Sequence, residues 1–260
     1  MRIGRVYLVG AGPGDPGLLT VRGLELIRAA EVVVCDRLVN PALLAEAPRE
    51  ALRIFAGKLA GRHYVPQAQI NALLVAHARH GRRVVRLKGG DPFIFGRGGE
   101  EAEALAEAGI PFEVVPGVSS AVAVPAYAGI PLTHRRLASS FAVVTGHEDA
   151  GKETHGVDWD GLAKAVDTLV VLMGLQKLPE IVARLLASGR SPDTPVALIR
   201  WGTTPTQETV TGTLADIVGR GRAAGIEPPV VAVIGDVVAL RDRLRWFDES
   251  LATRQDAPAE

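Results

Sequence analysis

The first half of the chain alternates two patterns of hydrophobic positions. Short apolar runs end in glycine, aspartate or lysine, and between these runs apolar residues recur at helical spacing. The runs that predict strands are Arg5–Val9, Val32–Cys35, Leu52–Ala56, Val84–Leu87 and Phe112–Val115. Because helical patterns separate successive strands, this half predicts a mostly parallel α/β sheet.

Capping residues set the predicted helix boundaries in this half. Thr20 can accept a hydrogen bond at the start of a helix that reaches Ala30, and Pro41 and Pro66 stand where proline favours a helix start. Gly81 ends the helix that begins at Pro66. Two further helices are predicted over Glu100–Ala108 and Ser119–Ala128.

The second half predicts a different sheet. Its strand candidates are Phe141–Thr145, Thr168–Met173, Pro195–Arg200, Thr209–Leu214 and Pro229–Ile234, and its clear helices lie near Leu178–Ala187 and Leu214–Ala224. The β-branched residues at 209–213 alternate as they do in an antiparallel strand with one exposed face. The predicted fold is therefore α/β with two domains, the N-terminal one on a mostly parallel sheet and the C-terminal one on a mixed sheet.

A polar segment at residues 133–140 separates the two patterns and lacks a helical or strand period. We therefore predict a first domain over residues 1–136 and a second over 137–245. The remaining residues, 246–260, are largely charged and small, and they predict a flexible tail.

Composition narrows the class of protein without naming a chemistry. The chain has 260 residues, of which 47% are hydrophobic and 22% charged, enough for a substantial core. Its 29 basic and 29 acidic residues give zero net charge, so no overall positive field favours nucleic acid. Cys35 is the only cysteine, and the six histidines lack metal-ligand spacing, so we expect neither disulfides within the chain nor a metal site.

We expect a cytoplasmic protein that does not enter a membrane. Residues 1–5 lead directly into a strand, without the apolar core of a signal peptide. The longest uncharged stretch, Val114–Thr133, contains three prolines, which argue against an unbroken membrane-spanning helix.

The strongest candidate for a binding site is the segment RVVRLKGGDPFIFGRGGEE at residues 83–101. Five of the eleven residues 89–99 are glycine, and they follow a predicted strand whose end carries two cations. Glycines let a backbone approach a ligand closely, and strand ends are where open α/β sheets bind ligands. An ordinary turn between strand and helix is the alternative interpretation.

The glycine turn after the first strand disfavours a dinucleotide. Gly10 and Gly12 begin a dinucleotide fingerprint, but Asp15 stands where its third glycine belongs. Pro13 and Pro16 also remove N–H donors that a pyrophosphate would need. A loop of carbonyls, prolines and a carboxylate suits a neutral or cationic ligand better.

Taken in order, these segments resemble the uroporphyrinogen-III C-methyltransferases of the wider tetrapyrrole methylase family. The matching segments are GAGPGDPGLLT at 10–20, VVVCDRLV at 32–39, FAGKLAG at 55–61, VVRLKGGDPFIFGRGGEE at 84–101 and VPGVSSAVAVPAYAGIPLTHR at 115–135. VVTGHE, LVVLMG, TPVALIRWGTT and PPVVAVIGDVV continue the match. GAGPGD and GGDP occur across the wider family, whereas GRGGEE and PLTHR point to this group.

The resemblance implies methyl transfer from S-adenosyl-L-methionine to uroporphyrinogen III, with S-adenosyl-L-homocysteine as the second product. Methyl groups would be added at carbons 2 and 7 to give precorrin-2, on the route to sirohaem and cobalamin. The resemblance also implies an active site in the cleft between two α/β domains, and a homodimer. Because this cofactor carries a sulfonium and an ammonium but no phosphate, it suits a loop that disfavours a dinucleotide.

The resemblance further assigns individual residues. The implied cofactor-binding residues are Pro13, Gly89, Gly90, Asp91, Ile94, Ser119, Ser120, Met173, Gly202 and Ala232. Asp36 and Lys58, each at the end of a predicted strand, are the implied proton-handling or positioning groups. Ordinary surface charges at loop mouths are the alternative for both residues.

The acceptor that the resemblance implies makes Arg86, Arg97 and His134 candidate residues for binding it. Uroporphyrinogen III carries eight carboxylates, and an arginine guanidinium binds a carboxylate through two parallel hydrogen bonds. Arg86 could instead be a buried structural partner of Asp91.

Two other functions stay open at this point. A methylase of the same fold could act on a later corrinoid, and a tetrapyrrole-binding protein could keep the fold without catalysis. The GGDP loop and Met173 argue against such a carrier, because a carrier has no need of a methyl-donor site.

Overall fold

A computed structural model of the chain describes residues 3–57, 65–146 and 156–247. The chain forms two compact units, Met1–Ser119 and Ser120–Glu260. Among the described residues, each unit is built on one five-stranded sheet with helices packed against it. These two units confirm the predicted class of two α/β domains; the cleft between them stays a prediction.

The first unit is a parallel α/β sheet. Its elements are β1 (Arg5–Gly10), α1 (Val21–Arg28), β2 (Val32–Cys35), α2 (Pro41–Ala45), β3 (Leu52–Phe55), α3 (Gln67–Arg79), β4 (Arg83–Lys88), α4 (Gly98–Glu107) and β5 (Phe112–Val115). The strand order is β3-β2-β4-β1-β5, and every neighbouring pair is parallel. The loops that follow these strands therefore all emerge at one edge of the sheet.

Helices cover both faces of this sheet, which explains the continuous apolar runs in its strands. On one face Val33 and Val85 pack in a core that includes side chains of α1 and α2. On the other face Val32 and Val84 pack in a core that includes side chains of α3 and α4. The predicted cap is also present, because the Thr20 side chain accepts a hydrogen bond from the Gly23 N–H.

The second unit carries the mixed sheet that the sequence predicts. Its elements are α5 (Ser120–Tyr127), β6 (Phe141–Thr145), α6 (Trp159–Ala165), β7 (Thr168–Leu172), α7 (Leu178–Ala187), β8 (Pro195–Arg200), β9 (Glu208–Thr213), α8 (Ile217–Ala223), β10 (Val230–Ile234) and α9 (Arg241–Leu244). The order is β6-β7-β10-β8-β9; β6 and β7 are parallel, and the other pairs are antiparallel. Short 3₁₀ turns lie at Pro16–Leu18, Leu175–Lys177 and Asp236–Leu240.

The division between the units differs from the predicted one at residues 136 and 137. Helix α5 belongs to the second unit, because its residues Ala121 and Val124 pack with Val170 and Val233 in the core of that unit. The polar segment 133–140 is a turn inside this unit, held in part by hydrogen bonds from Ser139 and Ser140 to the Asp167 carboxylate. Its polarity therefore reflects a hydrogen-bonded turn, which the sequence pattern does not distinguish from a linker.

Trp246, placed in the predicted flexible tail, is held against α5. Trp246 donates a hydrogen bond from its indole nitrogen to the Ala126 carbonyl at 2.9 Å. Its ring also packs against Tyr127, with 5.0 Å between the ring centroids. Residues 248–260 lie outside the described residues. Within the described ranges, the structure contains no helix long and apolar enough to span a membrane.

We predict that Cys35 is chemically protected in the folded protein. Its side chain is fully buried in β2, and this burial, against the opposing charge of Arg86, raises the pKa of the thiol from 9.0 to about 11. At pH 8 the reactive thiolate should then be about 100-fold scarcer than in the unfolded chain. Reaction with a chromogenic disulfide measures this directly, because the chain has no other cysteine.

The native protein should react at least about 100-fold more slowly than the guanidinium-unfolded protein, with glutathione as the control for the effect of denaturant on the reagent. Equal rates in the two states would contradict the burial of β2.

Candidate functional site

Two loops are joined at the carboxyl edge of the first sheet, one after β1 and one after β4. The Gly90 N–H donates to the Gly12 carbonyl at 2.7 Å, and the Gly12 N–H donates to the Gly90 carbonyl at 3.2 Å. The Ala11 N–H also donates to the Lys88 carbonyl at 2.7 Å. These backbone bonds hold the Pro13 and Gly89 segments side by side without using their side chains.

Glycines permit this close approach. A Cβ atom on Gly117 would lie 2.3 Å from the Gly90 carbonyl oxygen, and one on Gly10 would lie 2.5 Å from the Gly117 Cα atom. Gly90 also has a φ of +67°, which other residues rarely adopt. Gly89 differs: among the described residues, a Cβ there would meet only Leu38, at an ordinary 3.7 Å. Packing within the protein does not explain this glycine, whereas a ligand approaching the backbone would.

Asp91 connects the loop after β4 to the loop after β5. Its carboxylate accepts hydrogen bonds from the Phe93 N–H at 2.8 Å and from the Gly117 N–H at 3.0 Å. In the described parts of the chain it forms no ion pair. A half-buried carboxylate held by two N–H donors still carries a negative charge that can bind a cationic ligand group. Asp91 therefore fits the ammonium or sulfonium of S-adenosylmethionine and does not fit a phosphate.

Asp36 lies at the end of β2, next to a buried group of charged side chains. The Arg86 Nη2 atom is 2.5 Å from Asp36 Oδ1, and the Arg86 Nε atom is 2.9 Å from Glu101 Oε1. Lys88 Nζ is 3.0 Å from the same Glu101 oxygen and 3.8 Å from Asp36 Oδ2. Arg86, Lys88 and Glu101 are at most 1% exposed, whereas the Asp36 side chain is 33% exposed. Of these four side chains, only Asp36 is within reach of a ligand.

The pKa values of the two cations in this group are shifted in opposite directions, although burial lowers both. Burial works to lower the pKa of Arg86, but the Asp36 and Glu101 charges outweigh it, so this pKa lies above its ordinary value. Burial lowers the pKa of Lys88, the Arg86 charge lowers it further, and the two carboxylates do not fully compensate. Arg86 is thus the permanent cation of the group, and Lys88 holds its proton less firmly.

Arg86 is therefore placed differently from both of its predicted roles. Its guanidinium is bonded to Asp36 and Glu101, not to Asp91, so the predicted partner is wrong. Because the side chain is buried and both ends of its fork are occupied, it has no free donor pair for an acceptor carboxylate. We assign Arg86 to holding Asp36.

Ile94 and Arg97 lie on the exposed part of the loop that precedes α4. Ile94 is 44% exposed. The Arg97 side chain is 47% exposed and forms an ion pair with Glu100, with 2.6 Å between Nη2 and Oε2. Phe95 and Arg97 both have positive φ values, +50° and +59°, which cost energy in residues with side chains. Backbone strain of this kind is common at binding sites.

In the second unit, two of the predicted cofactor residues stand at strand ends. Met173 follows β7, is 54% exposed and has a φ of +53°. Gly202 follows β8, and a Cβ on it would lie 2.4 Å from a methyl group of Val124, so the loop packs tightly on α5. Both strands run antiparallel to β10, so both residues lie at the same edge of the second sheet.

The other predicted residues are dispersed. Ser119 is buried and ends the first unit, and Ser120 begins α5 in the second. Ala232 lies in the middle of β10 with its side chain in the core, away from any strand end. His134 lies in the 134–138 turn, where its N–H and carbonyl bond Ala138. Lys58 lies outside the described residues.

Sequence reasoning did not name Glu101 or Lys88 as site residues. Charged residues on helices usually face solvent, so no pattern in the sequence places Glu101 of α4 in the core. The available signal was Lys88 at the end of an apolar strand, because a cation there needs a buried carboxylate partner.

We predict that Asp91→Ala weakens S-adenosylhomocysteine binding while the protein stays folded. The substitution removes the carboxylate that fixes the Gly117 N–H and faces the proposed cofactor cation, so the dissociation constant should rise about tenfold or more. Titration calorimetry measures the affinity, and circular dichroism checks the fold.

Asp167→Ala is the matched control. Asp167 also accepts two backbone hydrogen bonds, from Ser139 and Ser140, but it directly precedes β7, at the edge of the second sheet opposite Met173 and Gly202. This variant should keep the affinity of the unsubstituted protein. Equal affinities for Asp91→Ala and Asp167→Ala would reduce Asp91 to a turn residue.

Comparison with known proteins finds relatives that match nearly the whole chain. Over 241 residues the chain is 52% identical to "S-adenosyl-L-methionine-dependent uroporphyrinogen III methyltransferase" of Methanosarcina barkeri, covering 93% of this chain and 94% of the relative. It is 54% identical over 247 residues to "Siroheme synthase" of Pseudomonas putida, covering 95% of this chain and 53% of the relative. The chain thus spans about half the length of several curated relatives that it matches.

The fold is also similar to the folds of solved structures. Uroporphyrin-III C-methyl transferase from Thermus thermophilus, complexed with S-adenyl homocysteine, superposes with a TM-score of 0.77 at 43% identity, covering 91% of this chain and 100% of that one. The family model for tetrapyrrole (corrin/porphyrin) methylases matches residues 5–218, which include both sets of loops described above. The chain belongs to the tetrapyrrole methylase family.

Proposed function

We propose that this chain is an S-adenosylmethionine-dependent uroporphyrinogen-III C-methyltransferase that forms precorrin-2. The observation that carries the proposal is the 52% identity to the Methanosarcina barkeri methyltransferase, because it extends over nearly the full length of both chains. Relatives named siroheme synthase are longer, so the proposal concerns the methyl transfer alone.

The geometry of the first unit supports the choice of cofactor. No contact within the described protein requires residue 89 to be glycine. The Asp91 carboxylate close to it is held by two backbone N–H groups, and among the described residues it has no cationic partner. We assign the backbone at Pro13, Gly89 and Gly90 to contacts with the cofactor, and Asp91 to its cationic end. Ile94, Ser119, Ser120, Met173 and Gly202 complete the proposed set.

When bound, the cofactor supplies an electrophilic methyl group on a sulfonium that is already a good leaving group. That chemistry would be a displacement in which the pyrrole carbon of the acceptor takes the methyl group and the C–S electron pair stays on sulfur. The protein must therefore align the two reactants and exclude water, which are effects that can provide most of the rate enhancement.

The methylated ring must also lose a proton as its electrons rearrange. Asp36 can accept this proton, because its carboxylate is partly exposed while Arg86 holds one of its oxygens at 2.5 Å. A carboxylate fixed in this way can act as a general base, because its orientation is already set. Lys58 keeps its proposed role as a second proton-handling group on the evidence of the resemblance alone.

Recognition of the acceptor requires a local positive charge, because the chain has no net charge and the acceptor carries eight carboxylates. Arg97 is half exposed at the tip of the loop before α4, and it can exchange its Glu100 contact for an acceptor carboxylate. His134 is a second proposed contact. We propose in addition that two chains associate and that the protein is cytoplasmic, in both cases from the resemblance.

The direct test is to count the methyl groups transferred to each of several acceptors. Under anaerobic conditions with isotopically labelled S-adenosylmethionine, uroporphyrinogen III should gain two methyl groups by mass spectrometry. The isomer uroporphyrinogen I and a later corrinoid serve as comparison acceptors.

Faster methylation of the corrinoid would move the proposal to another methylase of the family. Binding of uroporphyrinogen III without any methylation, in the presence of bound cofactor, would instead favour a carrier.

A further inference from the structure

Two of the buried charges beneath Asp36, those of Glu101 and Lys88, have no role in the methyl transfer as described so far. Glu101 is fully buried in the first turn of α4, and its Oε1 atom accepts three hydrogen bonds. The donors are Arg86 Nε at 2.9 Å, Lys88 Nζ at 3.0 Å and Gln67 Nε2 at 3.2 Å. The other oxygen, Oε2, has no hydrogen-bond partner among the described residues. One oxygen atom of α4 thus accepts hydrogen bonds from two other elements, from Gln67 of α3 and from both cations of β4.

The charges of this group balance. Arg86 and Lys88 supply two positive charges, and Asp36 and Glu101 supply two negative ones, within contact distances of 2.5 to 3.8 Å. Removing one charge would leave an unpaired charge in an interior where ions are poorly solvated. We therefore expect the cluster to keep its arrangement while its charges balance and to lose it when one charge is removed.

Stability alone does not account for this arrangement. Buried ion pairs often contribute little net stability, because desolvation offsets their attraction, and apolar side chains of similar size can do as well. Here, however, the cluster ends in one partly exposed carboxylate, Asp36, at the edge of the sheet where the loops gather. Glu101 is also only four residues beyond Arg97, so the helix that follows the glycine-rich loop anchors the same cluster.

We propose that Glu101 and Lys88 are positioning residues for Asp36, acting through the shared Arg86 guanidinium. Glu101 fixes the Nε side of the guanidinium, which leaves Nη2 directed at Asp36 Oδ1. Lys88 neutralises the second carboxylate, so that Asp36 and Glu101 do not compete for Arg86. This inference rests on the proposed role of Asp36 in proton removal, and neither positioning residue contacts a reactant.

The balance of charges allows a test that distinguishes a positioning role of Glu101 and Lys88 from a packing role. Glu101→Gln leaves two cations and one carboxylate, and Lys88→Met leaves one cation and two carboxylates. Each variant should lower kcat about tenfold or more, while KM for uroporphyrinogen III and S-adenosylhomocysteine affinity stay within about twofold. The double variant restores balance with one charge of each sign, so it should recover most of the lost kcat.

Conservative and remote variants complete the comparison. Lys88→Arg keeps the charge and should keep kcat near the starting value. Arg28→Met and Glu46→Gln remove the same kinds of charge from an exposed ion pair of 2.8 Å at the ends of α1 and α2. These two control variants should leave kcat unchanged, because both helices end at the opposite edge of the sheet.

A double variant whose loss of kcat equals or exceeds the product of the two single losses would overturn the proposal. So would single variants that fold and keep full kcat. If a single variant does not fold, the double variant and Lys88→Arg still decide, because the proposal requires both to retain activity.

Failure of the proposed function is distinguishable from failure of this inference. If the unsubstituted chain methylates no uroporphyrinogen III, the function is wrong, and crystal structures of the variants then test the positioning. The Asp36 carboxylate should leave its place beside Arg86 in both single variants and return in the double variant. An unmoved carboxylate in all three would contradict the inference.

Discussion

The site at the edge of the first sheet depends on one buried guanidinium. Arg86 lies between two carboxylates, with Asp36 at 2.5 Å and Glu101 at 2.9 Å, and it is almost fully buried. Through these contacts it connects the end of β2, the middle of β4 and the first turn of α4. An unpaired arginine in this position would be strongly destabilising, so the three elements are constrained to one arrangement.

Around this group the backbone is fixed by contacts that only glycine permits. The Gly12–Gly90 hydrogen-bonded pair and the close approach of Gly10 to Gly117 bring three loops within contact of one another. Asp91 then bonds the third loop to the second. A cofactor without phosphate needs carbonyls and a carboxylate in defined positions, and we propose that this arrangement provides them. Preorganisation of this kind reduces the entropy lost on binding.

Much of the fold could be predicted from the sequence because local patterns and tertiary burial agree. The Val32–Cys35 strand was predicted with its correct bounds since helices cover both of its faces, and Thr20 caps its helix as expected. The partners of Arg86 could not be predicted, because they depend on β2 and β4 being neighbours, with Val34 opposite Arg86. No local pattern determines which strands are adjacent.

Other features were missed for physical reasons of the same kind. Glu101 belongs to a residue type that is rarely buried, and only its partners explain its place in the core. Helix α6 has seven residues and no long apolar period. The turn at 134–138 has the composition of a linker, although Asp167 and backbone bonds hold it within the second unit.

The most direct test of the account is a single-turnover comparison of Asp36→Asn with the unsubstituted chain. Asparagine keeps the size of the side chain and an oxygen for Arg86 but cannot take a proton. With labelled S-adenosylmethionine already bound, the rate at which uroporphyrinogen III becomes the methylated and deprotonated product should fall about 100-fold or more, while the affinities for both reactants remain. An Asp36→Asn variant that forms this product at the original rate would contradict the account.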